Sequence, residues 1–126
     1  MKPVQNNYDI YKNLKYHFSI SKFDNMYKTI LLAFTRVHIL HHAWHDDQGF
    51  YGAKMIEKLQ KHVYTISPGT IYPILHSMQK DNLLVSTTKT IDGKQRKIYS
   101  ITNKGKQTLT SLKYFIKELS REVITP

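Results

Sequence analysis

Hydroxyl, imidazole and ammonium groups at helical spacing follow a helix start signal near the middle of this 126-residue chain. Ser67 can accept a backbone N–H bond as an N-cap, and Pro68 suits the first helical position, where no N–H is needed. Apolar residues recur at i, i+3, i+4 and i+7 from Ile71 to Met78, which predicts one buried stripe. The remaining positions form an outward face without acids, which can hydrogen-bond to a polyanion.

Such a face predicts a helix that reads DNA in the major groove, where a helix fits and base edges are distinguishable. The N-terminus of the helix suits phosphate contact through backbone N–H groups and the helix dipole. Pro73 lies inside the helix and should bend or loosen its first turn, because it removes the bond to the Gly69 carbonyl. The candidate DNA-binding residues of this helix are Ser67, Gly69, Thr70, Tyr72, His76, Ser77 and Lys80.

A basic hairpin is predicted directly after this helix. Residues 84–91 and 96–102 read as strands, and Asp92-Gly93 between them is a dipeptide favoured in tight hairpin turns. The hairpin carries four cations against the single acid Asp92, and such a projecting ribbon would meet phosphates. Arg96 is the strongest candidate because its guanidinium can engage phosphate bidentately. The candidate DNA-binding residues of the hairpin are Lys89, Lys94, Arg96 and Lys97.

Three further helical segments should position these residues. A polar arm over residues 1–22 hints at a short helix between about 8 and 18. A longer helix spans residues 25–45, and its apolar stripe is formed by Ile30, Ala33, Phe34, Val37, Leu40 and Trp44. A second helix runs from Gly52 to about Val63. Helix, helix, helix and hairpin is the order of a winged helix-turn-helix.

The last segment, from Asn103 onward, is predicted to be a dimerisation helix. Its apolar residues are spaced 3, 4, 3 and 4, the rhythm of a coiled-coil seam rather than of a wide core face. A chain of this length buries a modest core, so pairing with a second copy is expected. The predicted seam residues are Leu109, Leu112, Ile116, Leu119 and Val123.

Composition narrows the class of function. Lysine and arginine total 19 against 9 acids, giving a formal charge of +10, which points to nucleic acid or an anionic surface. The chain has no cysteine, no apolar run long enough to span a membrane and no secretory h-region at its start, so a cytoplasmic protein without membrane contact is expected. No thiol, glycine-rich phosphate loop or recognisable carboxylate pair supports catalysis, and no cofactor is expected.

A histidine group offers an alternative. His38, His42 and His45 follow one helical stripe, His41 lies four residues before His45, and Asp46 and Asp47 follow. Paired histidines one turn apart can chelate zinc, nickel or copper, so a metal-responsive regulator is one alternative hypothesis. Histidines near a helix C-terminus also complement its dipole without a metal, and a packing or dimer-contact role is the preferred interpretation. A winged-helix module that binds proteins instead of an operator is the second alternative.

The segment Ser67-Pro68-Gly69-Thr70-Ile71-Tyr72-Pro73 resembles the recognition-helix signature of the PadR-type transcriptional regulators. The resemblance continues upstream in the sequence FYGAKMIEKL at 50–59 and downstream in GKQRKIYSIT at 93–102, so it covers about residues 26 to 122. It implies a homodimeric repressor that binds a roughly palindromic operator in duplex DNA and is released by a small effector. Some multidrug-binding relatives stack planar compounds on a tryptophan of the last helix, whereas here Trp44 ends the first long helix.

The expected fold is therefore mostly α with a small β hairpin, a winged helix-turn-helix with a C-terminal dimerisation helix. Residues 1–22 form the arm, 23–102 the DNA-binding domain and 103–126 the dimerisation helix.

Overall fold

The computed structural model describes residues 25–61 and 66–124 of the chain. The arm helix expected between residues 8 and 18 lies outside the described residues, as does Val63, the expected end of the second helix. Within them the chain forms α1 (Asn25–Trp44), α2 (Gly52–Leu59), α3 (Pro68–Lys80), β1 (Leu84–Ile91), β2 (Lys94–Ile101) and α4 (Asn103–Val123). This order confirms the predicted mostly α fold with one hairpin and a C-terminal helix.

One apolar core joins the helices to the base of the hairpin. Helices α2 and α3 contribute the residues that their periodicity predicts, including Met55, Leu59, Ile71 and Leu75, all of which are fully buried. Leu84 of β1, Tyr99 of β2 and Leu109 of α4 close the same cluster. The outward face of α3 is therefore held in place by its buried stripe.

The hairpin has the two-residue turn that its sequence predicts. Its antiparallel register pairs Ile91 with Lys94, which leaves Asp92 and Gly93 as the turn. Both have positive φ, 52° and 78°, as a type I′ turn requires. The second strand begins at Lys94 rather than at the predicted Arg96, because the tight turn lets pairing start immediately after Gly93.

A threonine fixes the last helix to the end of α3. The Thr102 hydroxyl donates to the Asn82 carbonyl at 2.6 Å and accepts from the Gly105 N–H at 2.9 Å, so it caps α4 while tying it to the loop before β1. The Lys104 ammonium group adds a bond to the Asp81 carbonyl at 2.8 Å. These bonds connect the start of α4 to the residues just before β1, at the base of the hairpin.

The apolar stripe predicted for α1 is only partly buried. The face of α1 that packs into the core consists of Thr35, Ile39, Leu40 and Ala43. Ile30, Ala33 and Phe34 are exposed instead, and Phe34 retains 46% of its accessible surface. The reason is geometric: the rest of the described chain packs against the C-terminal half of α1, so the shape of the core, not the periodicity, selects the buried face.

The C-terminal end of α1 also holds the first part of α4. The Trp44 ring lies 5.7 Å from the Lys106 ammonium group and 5.4 Å from that of Lys113, two cation–π contacts on one face of α4. Trp44 is thus a packing residue between helices, half-buried in the chain.

The seam predicted along α4 divides into two parts. Leu109 is 1% exposed and packs in the core of its own chain. Leu112 is half-buried. Ile116, Leu119 and Val123 lie beyond the body of the domain and are exposed, Leu119 by 59% and Val123 by 70%. The first turns of α4 are used by the fold, and only its distal half presents an apolar stripe outward.

Candidate nucleic-acid interface

Helix α3 presents its polar residues as the sequence predicts. Tyr72 is 48% exposed, and Pro68, Gly69, Pro73, His76 and Lys80 are exposed as well. Thr70 and Ser77 are half-buried at the margins of this face. No acidic residue lies between Pro68 and Lys80. This part of the surface can therefore approach a polyanion without repulsion from its own helix.

The start of α3 differs from the prediction in one detail. Ser67 occupies the N-cap position with extended backbone, but its side chain makes no capping bond to a backbone N–H. Its hydroxyl lies 3.3 Å from the Thr70 hydroxyl, and the first turn is closed by the Ser67 carbonyl, which accepts from the N–H groups of Thr70 and Ile71. Pro68 has no backbone N–H, so one of the donors at the helix start that would need a partner is absent, and the helix starts without a cap from the serine side chain. The two hydroxyls form an exposed pair beside the helix N-terminus.

Tyr72 is held by its surroundings although half of it is exposed. One side of its ring lies so close to the backbone of Gly52 that a methyl group there would stand 2.9 Å from the ring carbon Cζ. On the hairpin side it neighbours Tyr99. Burial raises the pKa of the Tyr99 phenol above its usual value, and the nearby Tyr72 adds to this rise. Tyr72 is therefore a positioned side chain with one open face.

The hairpin, hereafter the wing (Leu84–Ile101), carries four cations and meets this helix at its base. Lys89, Lys94 and Lys97 are exposed, and Lys89 pairs directly across the strands with Arg96. The base of the wing is tied to α3 by the Ser86 hydroxyl, which donates to the Gln79 side chain at 3.1 Å. Helix α3 and the base of the wing are thus joined, and the two elements together carry an excess of positive charge.

Arg96 is less free than the sequence suggests. Its guanidinium carbon lies 4.4 Å from the centre of the Tyr51 ring, and the side chain is half-buried. Stacking on a ring uses the face of the guanidinium and leaves N–H groups in its plane for an anion. The stacking partner Tyr51 could not be identified from local spacing, because the contact joins residues far apart in the chain.

A small cleft adjoins this stack on the wing. It has a volume of about 210 Å³ and is lined by Gln48, Gly49, Tyr51, Lys54, Lys89, Ile91 and Ile98. Lys54 brings a cation from α2 to the same side as Lys89, although Asp46 lies 4.0 Å from its ammonium group and 3.5 Å from that of Lys58. The sequence did not single out Lys54 as part of this surface.

The histidine group does not converge into a metal site. The His41 and His45 rings meet edge to face at the end of α1 with centres 4.7 Å apart, while the ring centres of His38 and His42 are 6.3 Å apart. Asp46 turns toward the lysines of α2. Across residues 25–61 and 66–124, no three His, Cys, Asp or Glu side chains are arranged to hold a metal ion. In the same ranges no helix is long and apolar enough to cross a bilayer.

Comparisons with known proteins point to one family. The model of the transcriptional regulator PadR-like family matches residues 39–111. Transcriptional regulator Rv3488 of Mycobacterium tuberculosis is 44% identical over 92 residues, which are 73% of this chain and 84% of that protein.

Solved structures give the same assignment. A PadR-like transcription factor of Bacteroides fragilis has a TM-score of 0.68 at 28% identity, covering 79% of this chain and 96% of that one. A PadR-like transcriptional regulator of Bacillus cereus has a TM-score of 0.63 at 30% identity, covering 82% and 99%. These similar proteins are transcriptional regulators and not enzymes. The chain described here belongs to the PadR-like family of transcriptional regulators.

Proposed function

We propose that the chain binds duplex DNA as a homodimer, with one α3 helix per half-site in neighbouring major grooves and the wings on flanking phosphates. The observation that carries this proposal is the acid-free polar face of α3, anchored by a buried stripe and continued by the basic wing. Tyr72 and His76 are the candidates for base or sugar contact. Lys80 and the wing cations Lys89, Lys94, Arg96 and Lys97 are the candidates for phosphate.

A second copy of the chain is the proposed cover for two exposed apolar faces. One lies on the N-terminal half of α1 and includes Met26, Ile30 and Phe34; the other lies on the distal half of α4. Both are helix faces whose apolar spacing favours packing against another helix. A two-fold dimer would place two α3 helices on one side of the assembly, as a palindromic operator requires.

Repression by blocking promoter access, with release by a small effector, completes the proposal and is supported by family membership. Genome-wide mapping of bound fragments tests it most directly. We expect enrichment at a limited set of palindromic sites, and the genes beside those sites would indicate the class of effector. Absence of enrichment at any site would contradict an operator-binding role and favour a protein-interaction module.

The salt dependence of operator binding is the first quantitative prediction. About four cationic contacts per subunit, or about eight per dimer, should give a slope of about −7 in a plot of log affinity against log salt concentration. Fluorescence anisotropy of a labelled operator between 50 and about 200 mM salt measures it. A slope near zero would show that phosphates are not the partners of the basic wing.

The second prediction separates the two kinds of contact. Tyr72→Ala should lower the ratio of operator to random-duplex affinity by about 5- to 100-fold, because it removes a contact that depends on the base. Arg96→Ala should weaken both affinities about equally and reduce the salt slope to about −5, because each dimer loses two phosphate contacts.

Arg121→Ala is the matched control for the second prediction. Arg121 is exposed, pairs with Glu118 of its own helix at 2.8 Å and lies in α4 near its C-terminal end, so the same charge is lost away from the wing. We expect no change in the affinity ratio and little change in slope. If Arg96→Ala behaves like Arg121→Ala, Arg96 does not contact phosphate.

A further inference from the structure

Three consecutive residues before and at the start of α2, hereafter the coupling segment (Phe50, Tyr51, Gly52), each contact a different residue of the wing or of α3. Phe50 forms an isolated antiparallel bridge to β2: its N–H donates to the Tyr99 carbonyl at 2.9 Å and its carbonyl accepts from the Tyr99 N–H at 2.7 Å. The two rings also stack, with centres 5.6 Å apart. Phe50 therefore fixes the segment to the base of β2.

The next residue engages the middle of the same strand. The Tyr51 ring lies under the guanidinium of Arg96 at 4.4 Å. Because Phe50 is already paired with Tyr99, this second contact fixes how the wing is oriented relative to the start of α2. The wing is thus contacted at Tyr99 and again at Arg96, three residues nearer its tip.

Gly52 makes the contact with α3. A side chain at Gly52 would overlap the Tyr72 ring, since an added Cβ would lie 2.9 Å from Cζ and 3.1 Å from Cδ1, and closer still to Cε1. All three nearest atoms to that position belong to Tyr72. The bare backbone of Gly52 forms a shallow socket for one edge of the ring, while 48% of Tyr72 stays exposed.

We propose that Gly52 is a positioning residue for sequence discrimination: its missing side chain seats the Tyr72 ring, and the coupling segment thereby holds α3 in register with the wing. The proposal rests on the DNA-binding function proposed above. It assigns to α2 a role beyond core packing. A larger residue at position 52 would turn the ring away from its seat while leaving every candidate DNA contact chemically present.

A double-mutant cycle of Gly52→Ala and Tyr72→Ala tests this, with thermal melting and operator discrimination as separate readouts. In the native background we expect Gly52→Ala to lower the melting temperature by about 4 °C or more, because the added methyl group displaces the Tyr72 ring from its packed position. In the Tyr72→Ala background the same change should leave the melting temperature unchanged or slightly raised, because the clash is gone and alanine favours helix. Ala53→Ser, an exposed neighbour in α2, is the control and should change neither readout.

The affinity ratio tests whether the position of the Tyr72 ring matters for discrimination between operator and random duplex. We expect Gly52→Ala to lower the ratio of operator to random-duplex affinity about tenfold, with no further loss when it is added to Tyr72→Ala. If the single variant does not fold, recovery of folding in the double variant supports the socket, and failure of the double variant as well overturns it.

The outcomes separate the two proposals. Equal effects of Gly52→Ala on melting in both backgrounds would overturn the socket. Coupled melting with an unchanged affinity ratio would overturn the positioning role and leave DNA binding intact. A native protein that does not prefer its mapped sites over random duplex would overturn the DNA-binding function, and the positioning role with it, whereas the melting cycle would still report the packing of Tyr72.

Discussion

A monomer in sedimentation velocity is the expected result when Ile116 and Leu119 are both replaced by lysine. Both side chains are exposed on the distal half of α4. Leu109, nearer the start of the helix, is buried in the core of its own chain. Two charges per chain in an apolar helix seam would have to be desolvated without partners, which disfavours association. Operator affinity should fall by at least about 100-fold, because the two half-sites are then no longer bound as one unit.

The matched control adds the same charge to the opposite side of the helix. Gln107→Lys with Thr110→Lys places two lysines at exposed positions away from the seam, and the dimer should persist. Thermal melting of the Ile116 and Leu119 variant at low concentration separates dissociation from unfolding. A dimer that survives in this variant would move the interface to the exposed face of α1, where Ile30→Lys with Phe34→Lys becomes the corresponding test.

The largest loss of stability is expected at Gly105. A methyl group at this position would meet the carbonyl oxygen of Leu83 and stand 2.7 Å from Cγ1 of Ile101. The Leu83 carbonyl cannot move freely, because it accepts bonds from the N–H of Thr102 and from the Thr102 hydroxyl. We therefore expect Gly105→Ala to lower the free energy of unfolding by about 2–3 kcal/mol and the melting temperature by about 10 °C.

Gly69→Ala is the control for that measurement, since Gly69 also lies in the first turn of a helix. The heavy atom nearest to an added Cβ there is the Ser67 hydroxyl oxygen at 3.8 Å, an ordinary contact. Its stability should be unchanged or higher by up to about 1 kcal/mol. Both variants are compared at one protein concentration, because a dimer melts in a concentration-dependent way. Equal melting temperatures would show that α4 can shift away from the hairpin.

The elements fixed by local rules agree with their sequence predictions. The inward stripe of α3 follows from its apolar period, and the wing turn follows from Asp92-Gly93, because both depend on residues within a few positions of each other. The exposed positions of Tyr72, His76 and Lys80 follow in turn from the buried stripe. Family membership was likewise indicated by a short contiguous segment around Ser67 to Pro73 and is confirmed by comparison.

Long-range contacts account for the differences. The spacing of apolar residues along α4 does not reveal that Leu109 packs in the core of its own chain. A spacing of three and four is the same whether the covering helix belongs to the same chain or to a partner. The α1 stripe is only partly buried for the same reason: Ile30 and Phe34 have core-like spacing but remain exposed. The Ser67 hydroxyl is an exception, since its pairing with the Thr70 hydroxyl is local and Pro68 and the backbone already begin the helix.

The sequence by itself determined which surface of this protein faces outward with hydroxyl, imidazole and ammonium groups, since helical and strand periods assign each side chain to a face. Only the tertiary structure decided how those groups are held. Gly52 against Tyr72, and Tyr51 against Arg96, join residues 20 and 45 positions apart, by the numbering of the chain. Such contacts depend on how whole elements pack in three dimensions, and local spacing along one chain carries no record of that packing.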